Sequence, residues 1–148
     1  MVIRVQLDEC FRKRLLEKTR PQPGLGTKDL RQAGFFLTEA TELLDLGKDA
    51  IAILALYNAY FHCARALLFR DGVSERSHHC LARYLQDRYV RTGRLDTRYL
   101  GAFEAAMELR HTVQYSTDPV EVEADLAELI AFCDGFIRVV GRICAHDG

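Results

Sequence analysis

Three polar side chains interrupt an otherwise apolar stretch near the middle of the chain: Asn58, His62 and Arg65. Their spacing places them on a single stripe of a helix. Hydrogen-bonding groups buried on so apolar a helix are costly unless each finds a partner. Another helix, a second subunit or a ligand must therefore face them. An internal hydrogen-bond network, an exposed edge and a functional groove all satisfy that demand. A second group lies near residue 110. Arg110 continues the apolar face of Phe103 and Met107, and arginine is seldom buried unpaired. Glu104, Glu108, a C-terminal acid or a ligand phosphate are its candidate partners. Glu104, Glu108, His111 and Tyr115 share the neighbouring stripe. The chemistry open to this group is phosphate recognition or a structural ion pair.

Other candidates are weaker. His62, Cys63, His78, His79 and Cys80 invite a zinc site, but their spacing matches no standard set of ligand pairs, so no metal is expected. His78 follows Ser77 at a helix start and reads as a capping or packing residue. A cysteine nucleophile has no local signature to support it. Arg83, Arg88, Arg91, Arg94 and Arg98, interleaved with Tyr84, Tyr89 and Tyr99, fit either RNA contact or a solvated helix face. There is no Gly-rich phosphate loop, no H-E-x-x-H and no G-x-S-x-G, and no cofactor is expected.

The elements that must position these residues are helical. With only three prolines and almost no β-branched alternation, the 148 residues read as an all-α, antiparallel up-and-down bundle of about five helices. Residues 1–26 form a basic arm, with Arg4, Arg12, Lys13, Arg14, Lys18 and Arg20 against Asp8, Glu9 and Glu17. Leu7, Phe11 and Leu15 line one face of a short helix there, stopped by Pro21 and Pro23. Residues 27–146 form the bundle. Thr27 is the expected cap of a helix to about Leu46. A helix over about Asp49–Arg70 is apolar almost all round and belongs at the centre of the bundle or of a dimer. Ser74 or Ser77 opens the next helix, to about Thr92. Asp96 caps a fourth, and Asp118-Pro119 opens a fifth.

Apolar residues make up 49% of the chain and charged residues 28%, which excludes disorder as the main state. The net charge of −1 gives no global attraction to nucleic acid. Sixteen of the 20 basic residues are arginine. Five cysteines without C-x-x-C spacing, three of them in apolar runs, fit reduced thiols and a cytoplasmic location. No uncharged apolar run reaches the length of a membrane span.

The run Tyr57-Asn58-Ala59-Tyr60-Phe61-His62-Cys63-Ala64-Arg65-Ala66-Leu67-Leu68 resembles the central helix of small prokaryotic HEPN-domain proteins. Gly72, Ser77-His78, Thr92-Gly93-Arg94-Leu95-Asp96 and Leu109-Arg110-His111 follow in matching order over about residues 28–140. The resemblance implies an antiparallel bundle that forms a homodimer, often beside a minimal nucleotidyltransferase in a toxin–antitoxin pair. It also implies a metal-independent ribonuclease motif: Arg, a polar residue, then His four to six residues after the Arg. In that scheme Arg stabilises the phosphorane charge and His handles a proton. Arg110 and His111 match the first two positions, but Tyr115 stands where His is expected. Tyrosine, with an ordinary pKa of about 10, is a weak base at neutral pH. The variant implies a non-catalytic member that binds nucleotide or RNA in a dimer groove lined by Asn58, His62, Arg65, Arg110, His111 and Tyr115. The alternatives are a ribonuclease in which His111 or His62 moves the proton, and a purely structural helical adaptor.

Overall fold

The computed structural model describes residues 6–146; Arg4 of the basic arm lies outside them. The chain runs α1 (Leu7–Arg12), β1 (Leu16–Lys18), α2 (Pro23–Asp45), α3 (Asp49–Asp71), β2 (Val73–Glu75), α4 (His78–Leu85), α5 (Thr97–Tyr115) and α6 (Leu126–His146). α4 continues into a π-helical turn over Gln86–Val90. The all-α bundle is as expected, with five long helical segments and a short sixth before them.

α3 is the axis. It packs against α2, α4, α5 and α6, because apolar side chains surround it and only other helices can cover them all. Tyr60 illustrates the packing: its ring meets Phe103 of α5 at 6.1 Å and Phe136 of α6 at 6.0 Å. Its hydroxyl donates to the Leu129 carbonyl at 2.5 Å, which keeps a polar tip satisfied inside the core. By length and composition α3 could cross a membrane, but 67% of its most apolar window is buried inside the protein. Gly72 ends it at φ +74°.

The helix starts show where sequence signals hold. Ser77 accepts from the Cys80 amide at 3.2 Å and Asp96 from the Arg98 amide at 2.9 Å, both as N-caps. Ser74 instead lies in β2. Thr27 is no cap, because α2 begins at Pro23 and the Thr27 hydroxyl bonds the Pro23 carbonyl within the helix. Asp118-Pro119 does not open the last helix either. There the Ser116 hydroxyl donates to the Asp118 carbonyl in a turn, and the cap is Asp125, which accepts from the Glu128 amide at 3.0 Å. α6 starts at Leu126, the first residue of its stripe that is fully buried. Before it, Val120 and Val122 alternate with acids, and β-branched residues with little to pack against favour helix weakly.

The arm departs most from expectation. Its helix stops at Arg12, Arg14 adopts φ +58°, and the chain turns into a strand. β1 pairs antiparallel with β2, Leu16 opposite Glu75 and Lys18 opposite Val73. Cys10 and Cys80 form a disulfide, whereas the sequence reading has every thiol reduced. The reason is proximity: α1 packs on α4 and brings the two Cα atoms to 5.8 Å, within bridging range. Cys63, Cys133 and Cys144 remain free.

Candidate functional site

Tyr57 and Phe61, one turn apart on α3, face the first turn of α4. The His78 ring lies 5.5 Å from Tyr57 and 5.0 Å from Phe61. The Tyr57 hydroxyl is hydrogen-bonded to His78 Nδ1. From α5, the Arg110 guanidinium sits 4.6 Å above the Tyr57 ring, a cation–π contact. Arg110 Nη1 donates to Gln114 Oε1 at 3.0 Å, and its buried Nε has no hydrogen-bond partner. Among the described residues no carboxylate pairs with it. Glu108 is exposed, and Glu104 keeps a buried oxygen without a partner. The partner is thus the face of a tyrosine, which the sequence reading counts only as core.

Beside Arg110 opens a cavity of about 560 Å³, walled by Arg76, His78 and His79 on one side and by Glu108, Arg110 and His111 on the other. Burial, then the Arg110 charge and His79, lower the His78 pKa, which favours the neutral ring. Burial is the main cause that pushes Tyr57 up to about 12, so it keeps its proton. His111 is exposed at the rim, and the Tyr115 ring meets it tilted at 4.8 Å with 63% of its surface in solvent. The hollow can hold an anion between two guanidinium groups and three imidazoles.

The other predicted residues lie elsewhere. His62 Nδ1 and Arg65 converge on Asp29 of α2, which is only 5% exposed. His62 meets Oδ1 at 2.9 Å, and Arg65 donates through Nε at 2.8 Å and Nη2 at 2.9 Å. Burial alone would raise the Asp29 pKa, but the hydrogen bonds from Arg65 and His62 overcome it and hold the carboxyl low. Phe36 stacks on His62, and Phe61 and Phe69 flank the Arg65 guanidinium. The Asn58 amide donates to the Leu54 carbonyl of its own helix at 2.9 Å. What faces the α3 stripe is therefore another helix, carrying an acid. Five of the six expected groove residues thus fall into two separate clusters, His62 with Arg65 and Arg110 with His111 and Tyr115, and Asn58 joins neither.

The Arg–Tyr run is no stacking platform. Tyr84 and Tyr89 are buried and donate to Asp71 at 2.9 and 2.6 Å, and Tyr99 packs on Phe132 and Phe136. Arg83 and Arg91 lie 3.2 and 3.8 Å from Asp87. Among the described residues no group of three His, Cys, Asp or Glu side chains could hold a metal. Sequence reasoning missed Tyr57, Arg76, His78 and His79 as site residues. The one available signal was the pair of histidines directly after a capping serine.

Against known proteins, the family model of the HEPN domain matches residues 28–143. No curated protein and no solved structure matches.

Proposed function

The chain belongs to the HEPN domain family, and from that premise we propose that it is a non-catalytic component of a nucleotidyltransferase-linked toxin–antitoxin or defence system, binding nucleotide or RNA. The observation that carries this reading is the cavity at Arg110. Arg76, His78, His79, Arg110 and His111 supply donors around a hollow of about 560 Å³, and Tyr57 backs the guanidinium. Donors in that number, with one carboxylate at Glu108, suit a phosphate attached to a sugar and base. The α3 cluster around Asp29 is a structural support in this reading. A second copy of the chain is the expected partner; Tyr115 at the rim and, elsewhere on the bundle, Phe35 and Ile51 leave apolar surface exposed. The tie to a minimal nucleotidyltransferase rests on the resemblance of the Tyr57–Leu68 run and of Arg110-His111.

Fluorescence anisotropy with a labelled oligoribonucleotide, and calorimetry with ATP, test the reading. Arg110→Ala should weaken binding by about tenfold or more, the loss of hydrogen bonds to a charged group. No measurable affinity of the wild-type protein for either ligand would sink it. Co-expression with a neighbouring nucleotidyltransferase should yield a complex. One observation favours a second reading, a metal-independent ribonuclease: Arg110 and His111 share one cavity. His62 has no part in it, being bound to Asp29. RNA cleavage in EDTA that is lost in Arg110→Ala would establish that alternative.

A further inference from the structure

The hydrogen bond between the Tyr57 hydroxyl and His78 Nδ1 has a direction. Tyr57 is 4% exposed, and a buried hydroxyl proton left without an acceptor is costly. The acceptor within reach is His78 Nδ1. A neutral imidazole that accepts at Nδ1 carries its proton on Nε2. Arg110 and His78 both line the cavity, and each keeps N–H donors that Tyr57 does not occupy.

We propose that Tyr57 is a positioning residue that locks His78 as the Nε2–H tautomer, making it a neutral donor to a ribonucleotide phosphate oxygen and removing it as a base for the 2′-hydroxyl. The proposal rests on the ribonucleotide-binding reading above and says why His78 binds without acting as a base. A general base needs a free ring nitrogen aimed at the substrate. In His78 that nitrogen is turned inward and occupied by a hydroxyl.

Two measurements separate the parts. Nitrogen-15 NMR of the free protein reads the His78 tautomer without any ligand. Anisotropy with a labelled oligoribonucleotide, with AMP as competitor to distinguish a single nucleotide from a strand, reads binding in the full-length protein. The expected result is the Nε2–H pattern in wild type and a mixture of tautomers in Tyr57→Phe, which keeps the ring. Affinity should fall about tenfold in His78→Ala and several-fold in Tyr57→Phe. It should stay within about threefold of wild type in His78→Gln, which retains an N–H donor. An Nδ1–H tautomer in wild type would overturn the proposal while leaving the binding reading intact. So would His78→Gln losing as much affinity as His78→Ala, or RNA cleavage that depends on His78. Absence of ribonucleotide binding in wild type would overturn the binding reading itself, whatever the tautomer.

Discussion

Asp29 is a carboxylate withdrawn from water and satisfied from two directions by α3. Removing one member of a buried pair leaves the other uncompensated, which costs more than the pair contributes. Asp29→Ala should therefore destabilise the fold by about 2–4 kcal/mol, read as a lower urea midpoint with an unchanged slope. A midpoint within error of wild type would mean Arg65 and His62 reach water without it. His78 makes a pH prediction. Burial, with Arg110 and His79, holds its pKa below the ordinary 6.5, and Tyr57 and Phe61 also face its ring. In that window the unfolded chain binds a proton that the folded site refuses. Stability is thus full above pH 6.5 and falls as pH drops through it. The midpoint of thermal unfolding should decline from about pH 7.5 to about pH 5.5, and His78→Gln should flatten part of that decline. An identical slope in the variant would count against a buried neutral ring.

Elements depend on a few junctions. Gly72 closes α3 and leads into β2 at φ +74°, and a Cβ there would lie 2.6 Å from the Thr19 carbonyl oxygen and 2.9 Å from Pro21 nitrogen. Both obstacles are backbone, so Gly72→Ala combines left-handed strain with a clash that only a shift of the arm relieves. A loss of about 2–3 kcal/mol is expected from these causes, measurable by chemical unfolding; a neutral result would mean the arm gives way freely. The Cys10–Cys80 bond joins residues 70 apart, and loop-closure entropy assigns such a cross-link about 4.4 kcal/mol. Reductant should lower the wild-type urea midpoint and leave Cys10→Ser unmoved. A wild-type midpoint indifferent to reductant would show that the bond does not form in solution. Cys63 and Cys133 do not offer an alternative pairing for a redox reagent at the surface, since both are buried and burial pushes both thiols up.

The whole molecule is a bundle wound about α3, with the Arg110 cavity where α3, α4 and α5 meet and the Asp29 cluster where α2 covers α3. If a second copy covers the exposed Ile51 in the first turn of α3, a charge placed there should dissociate it without unfolding the protomer. Light scattering of Ile51→Glu should then report a monomer whose circular dichroism matches wild type. A wild-type protein already monomeric at the same concentration would remove the dimer from the functional reading and leave the cavity to act in one chain.

Hydrophobic period and capping residues determined that this chain is helical, that a helix over about Asp49–Arg70 lies at a centre, and that Ser74 or Ser77 and then Asp96 start helices, because these depend on neighbours within about a turn. The stripe of Asn58, His62 and Arg65 likewise declared, from its cost in burial, that a partner had to face it. Which partner it was, Asp29, lay 33 residues from His62 and carried no local mark. The strand pair β1–β2, the delayed start of α6 at Leu126 and the Tyr57–His78 contact were decided by the same kind of distance. Tyr57 looks like core until α4 and α5 bring a histidine and an arginine to its hydroxyl and ring. A side chain's role depends on what the tertiary fold places against it, and sequence spacing reports only what one helix places beside it.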